Sequence, residues 1–133
     1  MRLAMNRERI NRMGKKILVI DDNEIDLIIV TRCLNQAGYN EVITATDALE
    51  GVKKAKEEKP DLVISDTLLP GSNGFEICAQ IRGIFNQEHP KIIIMTGAID
   101  AVDAVRARKV GADDYCGKTS DCAPLLEAVK KLI

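Results

Sequence analysis

The sequence predicts an α/β fold with a doubly wound parallel sheet of five strands, in the order 2-1-3-4-5, and five helices. Short apolar runs alternate with longer amphipathic segments along the 133 residues, as in repeated strand–helix units. The short runs, such as Ile17–Ile20, are apolar throughout, as expected of parallel strands that helices cover on both faces. Right-handed crossovers place helices on both faces, and this strand order suits five strands.

Three strands and two helices are predicted in the first half of the chain. They are the strands Lys16–Ile20, Glu41–Ala45 and Asp61–Ser65 and the helices Glu24–Ala37 and Asp47–Glu58. Gly38 is typical of a residue that ends a helix, and Asp47 with Glu50 forms a capping-box pattern. The second helix ends before Pro60, because the residue before a proline disfavours helical backbone.

The first helix contains a run, Leu27–Val30, that propensity alone would assign to a strand. A crossover between parallel strands takes a dozen or more residues and is usually a helix. Ile25, Ile29 and Cys33 also recur at helical spacing. We therefore predict a helix. Its apolar residues exceed one helical face, so some of them are expected to be exposed for docking.

Two strands and three helices are predicted in the second half. A loop rich in turn residues, Thr67–Asn73, comes first. It is followed by the helix Gly74–Asn86, the strand Lys91–Met95, the helix Asp100–Lys109, the strand Asp113–Cys116 and the helix Ser120–Leu132. Since no Pro/Gly/Ser-rich linker divides the chain, residues 15–133 are expected to form one domain. Residues 1–14 are interpreted as a basic, disordered leader.

Composition excludes several classes of function. The formal net charge is −1, which gives no overall attraction to nucleic acid or membrane surfaces. No apolar run approaches the roughly 20 residues of a membrane span, and no signal peptide is visible. The four cysteines, Cys33, Cys78, Cys116 and Cys122, form no CxxC pair, and the single histidine is not near them. Reduced, packed thiols in a cytoplasmic protein are predicted, rather than a zinc site or a disulfide scaffold.

Polar residues follow four of the predicted strands. Asp21 and Asp22 follow the first strand, Asp66 the third, Thr96 the fourth and Lys118 the fifth. Ligands of open α/β sheets bind beyond the carboxyl ends of the strands, at the point where the strand order reverses. The predicted strand order places these residues side by side at that edge. The sequence therefore predicts that three carboxylates, a hydroxyl group and an ammonium group meet there.

Such a group of residues suits a divalent cation and a phosphoryl group. Crowded carboxylates raise each other's pKa unless a cation lies between them. An all-oxygen site favours Mg²⁺ first, and Mn²⁺ or Ca²⁺ after it. Asp66 is a candidate nucleophile, because carboxylates can form aspartyl phosphates. Lys118 and the Thr96 hydroxyl would stabilise the charge on the phosphoryl oxygens.

Four motifs in order give the sequence a specific resemblance. They are ILVIDDN, DLVISDTLLPGSNG, IIIMTG and GADDYCGK. Together they resemble the response-regulator receiver domain of two-component signalling, with its flavodoxin-like (CheY-like) fold. The resemblance covers about residues 15–133. It implies a phosphorylation-activated switch that is not an enzyme, apart from slow self-dephosphorylation.

The resemblance also implies roles for the residues around a Mg²⁺ ion. Asp66 resembles the phospho-accepting aspartate, and Asp21 and Asp22 resemble the acidic pair that binds the metal. The metal ligands would then be Asp21, Asp22, Asp66 and the backbone carbonyl of Leu68. Lys118 resembles the lysine that contacts the phosphoryl group.

Further implications concern signalling. Thr96 resembles the switch hydroxyl, and Tyr115 the aromatic residue that turns inward when the threonine moves. The phosphoryl donor would be a histidine kinase or a histidine phosphotransfer protein. Output to a downstream protein or domain, and a possible homodimer, would use the face of the fourth helix, fifth strand and last helix.

The residue after Lys118 departs from the usual pattern of the family. Family members usually have proline after the lysine, with a cis peptide bond, whereas this chain has Thr119, for which trans is expected.

In the family, the residues two positions after the acceptor and two after the threonine line the path of the attacking water. Here they are Leu68 and Ala98, which cannot bind a water by a side-chain hydrogen bond.

Two other functions are weighed against this one. A pseudo-receiver that acts only as an interaction module is favoured slightly by Thr119 but disfavoured by the intact Asp66 and Lys118. An aspartyl-phosphate phosphohydrolase would need a second aspartate two residues after the nucleophile, where this chain has Leu68.

Overall fold

A computed structural model describes residues 12–85 and 89–133, and in that part the five predicted strands form one parallel sheet. The strands are β1 (Lys16–Ile20), β2 (Glu41–Ala45), β3 (Leu62–Asp66), β4 (Lys91–Thr96) and β5 (Asp114–Gly117). The helices are α1 (Glu24–Gln36), α2 (Ala48–Glu58), α3 (Gly74–Ile84), α4 (Ala101–Lys109) and α5 (Ala123–Leu132). The strand order is β2-β1-β3-β4-β5. The predicted fold and strand order are confirmed.

Two apolar clusters lie on the two faces of the sheet. Ile17 and Val19 of β1 face one cluster, which α1 and α5 cover. Leu18 and Ile20 of the same strand face the other cluster, which residues of α2, α3 and α4 complete. Because successive side chains of a strand point to opposite faces, burial on both sides makes the strand apolar throughout. This explains the apolar runs of the sequence.

Helix α1 forms despite its β-branched run. The Asn23 side chain accepts hydrogen bonds from the backbone N–H groups of Ile25 and Asp26, at 3.0 and 3.1 Å, and so caps the first turn. Gly38 has a φ of 99°, which favours glycine, directly after the last turn. Ile28, like Ile25, lies exposed on the outer face, as predicted from the excess of apolar residues.

The clearest differences from the prediction are the loop after Asp66, the start of α5 and the end of α3. The loop after Asp66 contains a short antiparallel hairpin, in which Leu68–Leu69 pairs with Ser72–Asn73 around a Pro-Gly turn. Helix α5 begins at Ala123 rather than Ser120, because Cys122 has a left-handed backbone, with a φ of 56°, and Pro124 occupies the first turn. Helix α3 ends at Ile84, before the predicted end at Asn86, because Phe85 has an extended backbone. Asn86 itself and residues 1–11 of the predicted leader lie outside the described residues.

Helix α3 is tied to the neighbouring strands by a buried arginine. The side chain of Arg82 is only 6% exposed and lies 2.8 Å from Asp113 Oδ2. It also donates to the backbone carbonyls of Pro90 at 2.6 Å and Gly111 at 2.9 Å. Asp113 accepts a further hydrogen bond from Ile92 N at 2.8 Å. All three guanidinium nitrogens of Arg82 therefore donate hydrogen bonds, to two backbone carbonyls and to Asp113.

The four cysteines are free in the structure. Burial raises the pKa of the Cys78 thiol to about 11 and that of the Cys116 thiol to about 12. These groups are therefore protonated near neutral pH, in agreement with the prediction of packed thiols. Among the described residues, no helix has both the length and the apolar character that a membrane span requires.

Candidate functional site

The carboxyl ends of four strands meet at one edge of the sheet. Backbone hydrogen bonds fix this edge: Asp21 N donates to Ala45 O at 3.0 Å, and Lys118 N donates to Thr96 O at 2.7 Å. Thr67 N donates to Met95 O at 3.1 Å, which holds the residue after β3 beside the end of β4. These backbone hydrogen bonds between neighbouring strand ends therefore position the residues that follow the strands.

Three carboxylates lie together at this edge. Asp21, Asp22 and Asp66 each place one oxygen within 4.8 Å of the others. Asp21 is fully buried, and its Oδ1 accepts a hydrogen bond from Asn23 N at 3.0 Å. Asp22 is exposed, so the cluster opens to solvent on one side. The positions predicted for these three residues therefore agree with their positions in the structure.

Asp66 occupies an environment that disfavours its charge. Burial raises the pKa of its carboxyl group, and the neighbouring charge of Asp21 raises it further. Lys118 and the N–H group of Thr67, which donates to Asp66 Oδ1 at 2.9 Å, act in the opposite direction. Since the net effect is a raised pKa, a cation at this position would relieve the repulsion between the carboxylates.

The loop around Asp66 leaves no room for a side chain at Gly74. A Cβ atom there would overlap the carbonyl oxygen of Asp66 and approach Ser65 Oγ to 3.2 Å. Gly74 N also donates to Thr67 O at 3.0 Å. The first residue of α3 therefore packs directly on the backbone of the candidate acceptor.

Lys118 contacts three carboxylates. Its Nζ lies 2.8 Å from Asp21 Oδ2, 2.8 Å from Asp26 Oδ2 and 3.4 Å from Asp66 Oδ2. Burial alone would lower the pKa of Lys118, but the hydrogen bonds to Asp21 and Asp26 and the charges of Asp21 and Asp66 outweigh it and raise the pKa. The lysine is therefore a fixed positive charge at the centre of the site.

Asp26 is the site residue that the sequence interpretation missed. It lies in the first turn of α1, and the sequence pattern indicates only a helix there. Side chains in a helix tilt toward its N-terminus, so a carboxylate in the first turn points back toward the edge of the sheet. That tilt, together with a position four residues after Asp22, is a signal that could have identified it.

Thr96 is the last residue of β4, and Tyr115 lies in the neighbouring strand β5. The buried Thr96 hydroxyl donates to Ala98 O at 3.1 Å and accepts from Ala98 N at 3.2 Å. The Tyr115 hydroxyl accepts from Asp100 N at 3.2 Å, and its ring packs on the core beside α4. Both side chains therefore connect the site to the segment that leads into α4.

The threonine after Lys118 does not remove the lysine from the site. Among the described residues the only cis peptide bond is His89–Pro90, so the Lys118–Thr119 bond is trans, as predicted. The Thr119 hydroxyl donates to Asp121 Oδ1 at 2.9 Å, and Asp121 also accepts from Ala123 N at 3.0 Å. This turn leads into α5, while Lys118 still reaches Asp66.

The donor set fits a hard divalent cation. Asp21, Asp22 and Asp66 supply only oxygen atoms, and one of the three is open to solvent. Mg²⁺ typically binds one or two carboxylates and keeps several waters, so a half-open carboxylate cluster suits it. The predicted ligand at the carbonyl of Leu68 stays a prediction.

Comparison with known proteins gives a consistent result. The family model of the response regulator receiver domain matches residues 17–130. The alkaline phosphatase synthesis transcriptional regulatory protein PhoP of Bacillus subtilis (strain 168) is 42% identical over 106 residues. The match covers 80% of this chain and 43% of PhoP, so the chain spans less than half the length of that relative.

Solved structures show the same likeness. The response regulator TrrA of Thermotoga maritima, in complex with Mg²⁺ and BeF, is 34% identical with a TM-score of 0.80, over 90% of this chain and 99% of that chain. The chemotaxis protein CheY4 of Vibrio cholerae is 28% identical with a TM-score of 0.82, over 90% of this chain and 98% of that chain.

Proposed function

This chain belongs to the response regulator receiver domain family, and we propose that it is a phosphorylation switch that accepts a phosphoryl group on Asp66. The observation that carries the proposal is the position of Lys118, whose ammonium group lies 3.4 Å from the Asp66 carboxylate and 2.8 Å from that of Asp21. Phosphoryl transfer depends mostly on positioning and on stabilising negative charge. The site supplies both.

In the proposed reaction, a phosphoryl group moves from a histidine nitrogen to a carboxylate oxygen. A carboxylate oxygen of Asp66 attacks the phosphorus of a phosphohistidine, the P–N bond breaks and the histidine nitrogen leaves with the bonding electron pair. Lys118 compensates the charge of the phosphoryl oxygens. Asp21, Asp22 and Asp66 would hold Mg²⁺, which supplies further charge compensation when bound. The product is a mixed anhydride on Asp66.

An exposed apolar surface beside the site supports a protein as the phosphoryl donor. Ile25 and Ile28 are exposed on the outer face of α1, within the turns that carry Asp26. A groove of about 700 Å³ adjoins Ile28 and runs along α1 toward Thr44 and Thr46. Contiguous exposed apolar residues mark protein interaction sites. A histidine kinase or a histidine phosphotransfer protein in the cytoplasm is the proposed donor.

The output surface is proposed on α4, β5 and α5. Ile99, Val102 and Val105 form an exposed apolar strip on and before α4. Tyr115 of β5 is hydrogen-bonded to the start of the same segment, at Asp100 N. A downstream protein or domain, or a second copy of the chain, would bind here when Thr96 and Tyr115 rearrange on phosphorylation.

The proposal is tested by mass spectrometry of the intact protein after incubation with acetyl phosphate and Mg²⁺. The wild type is expected to gain the mass of one phosphoryl group, whereas the Asp66→Asn variant gains none. A pure interaction module would show no gain in either protein. Equal gains in both would place the acceptor elsewhere in the chain.

Removing one metal ligand is expected to weaken Mg²⁺ binding. Titration of the wild type should shift the amide resonances around Asp21, Asp22 and Asp66 first, with an affinity on the order of millimolar, because Mg²⁺ dehydrates reluctantly. The Asp22→Ala variant should need about fivefold more Mg²⁺, since it loses one of three carboxylates. Identical titration curves for the two proteins would contradict the assignment of Asp22.

Thr96 is expected to transmit the signal without being needed for the transfer. The Thr96→Ala variant should still gain a phosphoryl group, because Asp66, Lys118 and the carboxylate cluster are intact. It should lose most of the change in amide hydrogen exchange that phosphorylation causes in 100–109, since a population shift needs different contacts in the two states. An undiminished change would exclude Thr96 from the switch.

A further inference from the structure

A fourth carboxylate, Asp26, contacts the lysine of the proposed site. Lys118 Nζ is 2.8 Å from Asp26 Oδ2, the same distance as to Asp21 Oδ2 and shorter than the 3.4 Å to Asp66 Oδ2. The Lys118 side chain is 20% exposed and that of Asp26 is 31% exposed, so the pair is partly shielded from solvent. Such a pair is stronger than a fully exposed one.

Both partners of this ion pair are held by their backbones. Asp26 N donates to the capping Asn23 Oδ1 at 3.1 Å, and Lys118 N donates to Thr96 O at 2.7 Å. The contact therefore joins the first turn of α1 to the loop after β5. It does not arise from two long side chains that meet by chance at the surface.

A phosphoryl group on Asp66 changes the demands on Lys118. An ammonium group has three N–H donors, and in this structure three carboxylates lie around it. A phosphoryl group brings additional negative charge and three acceptor oxygens. Asp26 lies outside the cluster of Asp21, Asp22 and Asp66. Its contact with Lys118 is therefore the one that can be given up without disturbing the cluster.

We propose that Asp26 is a positioning residue that holds Lys118 in the unphosphorylated protein and competes with the phosphoryl group for it. This inference rests on the proposed function of Asp66. Asp26 then sets how readily the site accepts an anion, and its release from Lys118 frees the first turn of α1 when the switch is activated. A cavity of about 250 Å³, lined by Asp26, Lys118 and Thr119 among others, lies beside the pair and provides space for this rearrangement.

The inference predicts that the loss of Asp26 affects two ligands differently. In the Asp26→Asn variant, Lys118 is freed and one negative charge is lost. Beryllofluoride, an analogue of the phosphoryl group, should bind about threefold to tenfold more tightly in the presence of saturating Mg²⁺, the range between an exposed and a partly buried ion pair. Mg²⁺ alone should bind no more tightly than to the wild type. A purely structural role of Asp26 would weaken both.

The experiment compares beryllofluoride and Mg²⁺ titrations of the wild type, Asp26→Asn and a control, Glu24→Gln. Glu24 is an exposed acid in the same helical turn, so the control loses the same charge and the same interaction with the helix dipole. It should bind beryllofluoride as the wild type does. In a Lys118→Ala background, Asp26→Asn should have no greater effect than Glu24→Gln, because Asp26 acts through the lysine.

The outcomes separate this inference from the proposed function. Two outcomes would overturn the role of Asp26 alone, in a wild type that binds beryllofluoride tightly. Either Asp26→Asn binds beryllofluoride no more tightly than the wild type does, or Glu24→Gln gains as much affinity as Asp26→Asn. An absence of beryllofluoride binding and of phosphorylation in the wild type would overturn both. Thermal unfolding shows whether the Asp26→Asn and Asp26→Ser variants still fold. Loss of the folded state in both would make Asp26 a structural residue and would also overturn the inference.

Discussion

Replacing Arg82 with methionine is expected to lower the free energy of unfolding by about 3 kcal/mol, because it leaves two backbone carbonyls without their donor and breaks an ion pair whose arginine is only 6% exposed. The variant leaves Asp113 with an uncompensated charge and removes the donors of the carbonyls of Pro90 and Gly111. Methionine replaces the aliphatic stem of Arg82 but not its guanidinium group, so the loss reports mainly the polar contacts. Chemical denaturation measures it directly.

A matched control is available on a neighbouring helix. Arg108 is exposed on α4, and Arg108→Met should change the free energy of unfolding by no more than about 0.5 kcal/mol. A double variant, Arg82→Met with Asp113→Asn, should recover part of the loss, because it removes the unpaired charge. Equal losses in the single and double variants would show that the hydrogen bonds to Pro90 and Gly111, not the charge pair, account for the lost stability.

The phosphorylated protein is expected to lose its phosphoryl group slowly, and polar residues beside the site should shorten the lifetime about tenfold, which corresponds to ~1.4 kcal/mol in the barrier. Leu68 is 75% exposed beyond Asp66, and Ala98 is exposed beyond Thr96. Neither side chain can hold a water for in-line attack on phosphorus. The variant Leu68→Asn with Ala98→Glu supplies two groups that can.

Decay of the aspartyl phosphate at fixed Mg²⁺ concentration compares the two proteins. A second double variant, Leu68→Met with Ala98→Met, keeps both positions apolar and should decay as slowly as the wild type. Wild-type decay as fast as that of the polar variant would mean that another group, such as Thr67 or Lys118, already orients the water.

The strands and their order were predictable because they depend on a simple pattern. Burial on both faces makes β1, β3 and β4 apolar throughout, and the crossover rules then leave few topologies. The same reasoning placed Asp21, Asp22, Asp66 and Lys118 at one edge, since the carboxyl ends of parallel strands meet there. These predictions needed no knowledge of side-chain geometry.

The features that the sequence did not predict depend on contacts between distant residues. The pairing of Asp26 with Lys118 joins positions 92 residues apart, and that of Arg82 with Asp113 joins positions 31 residues apart. Neither pair has a periodic signal in the sequence. The start of α5 was predicted three residues too early, because the left-handed Cys122 overrides the helical preference of its neighbours. The hairpin over 68–73 depends on a Pro-Gly turn, whereas the turn residues of this segment predict only a loop.

The central claim is that Asp66 accepts the phosphoryl group, and reduction of the phosphorylated protein with borohydride tests it most directly. Borohydride converts an aspartyl phosphate to homoserine, so peptide sequencing by mass spectrometry locates the modified residue. The account predicts homoserine at position 66 in the wild type after treatment with acetyl phosphate and Mg²⁺, and at no other aspartate. Homoserine at Asp21, Asp22 or Asp26, or none in a protein that gained the mass of a phosphoryl group, would contradict it.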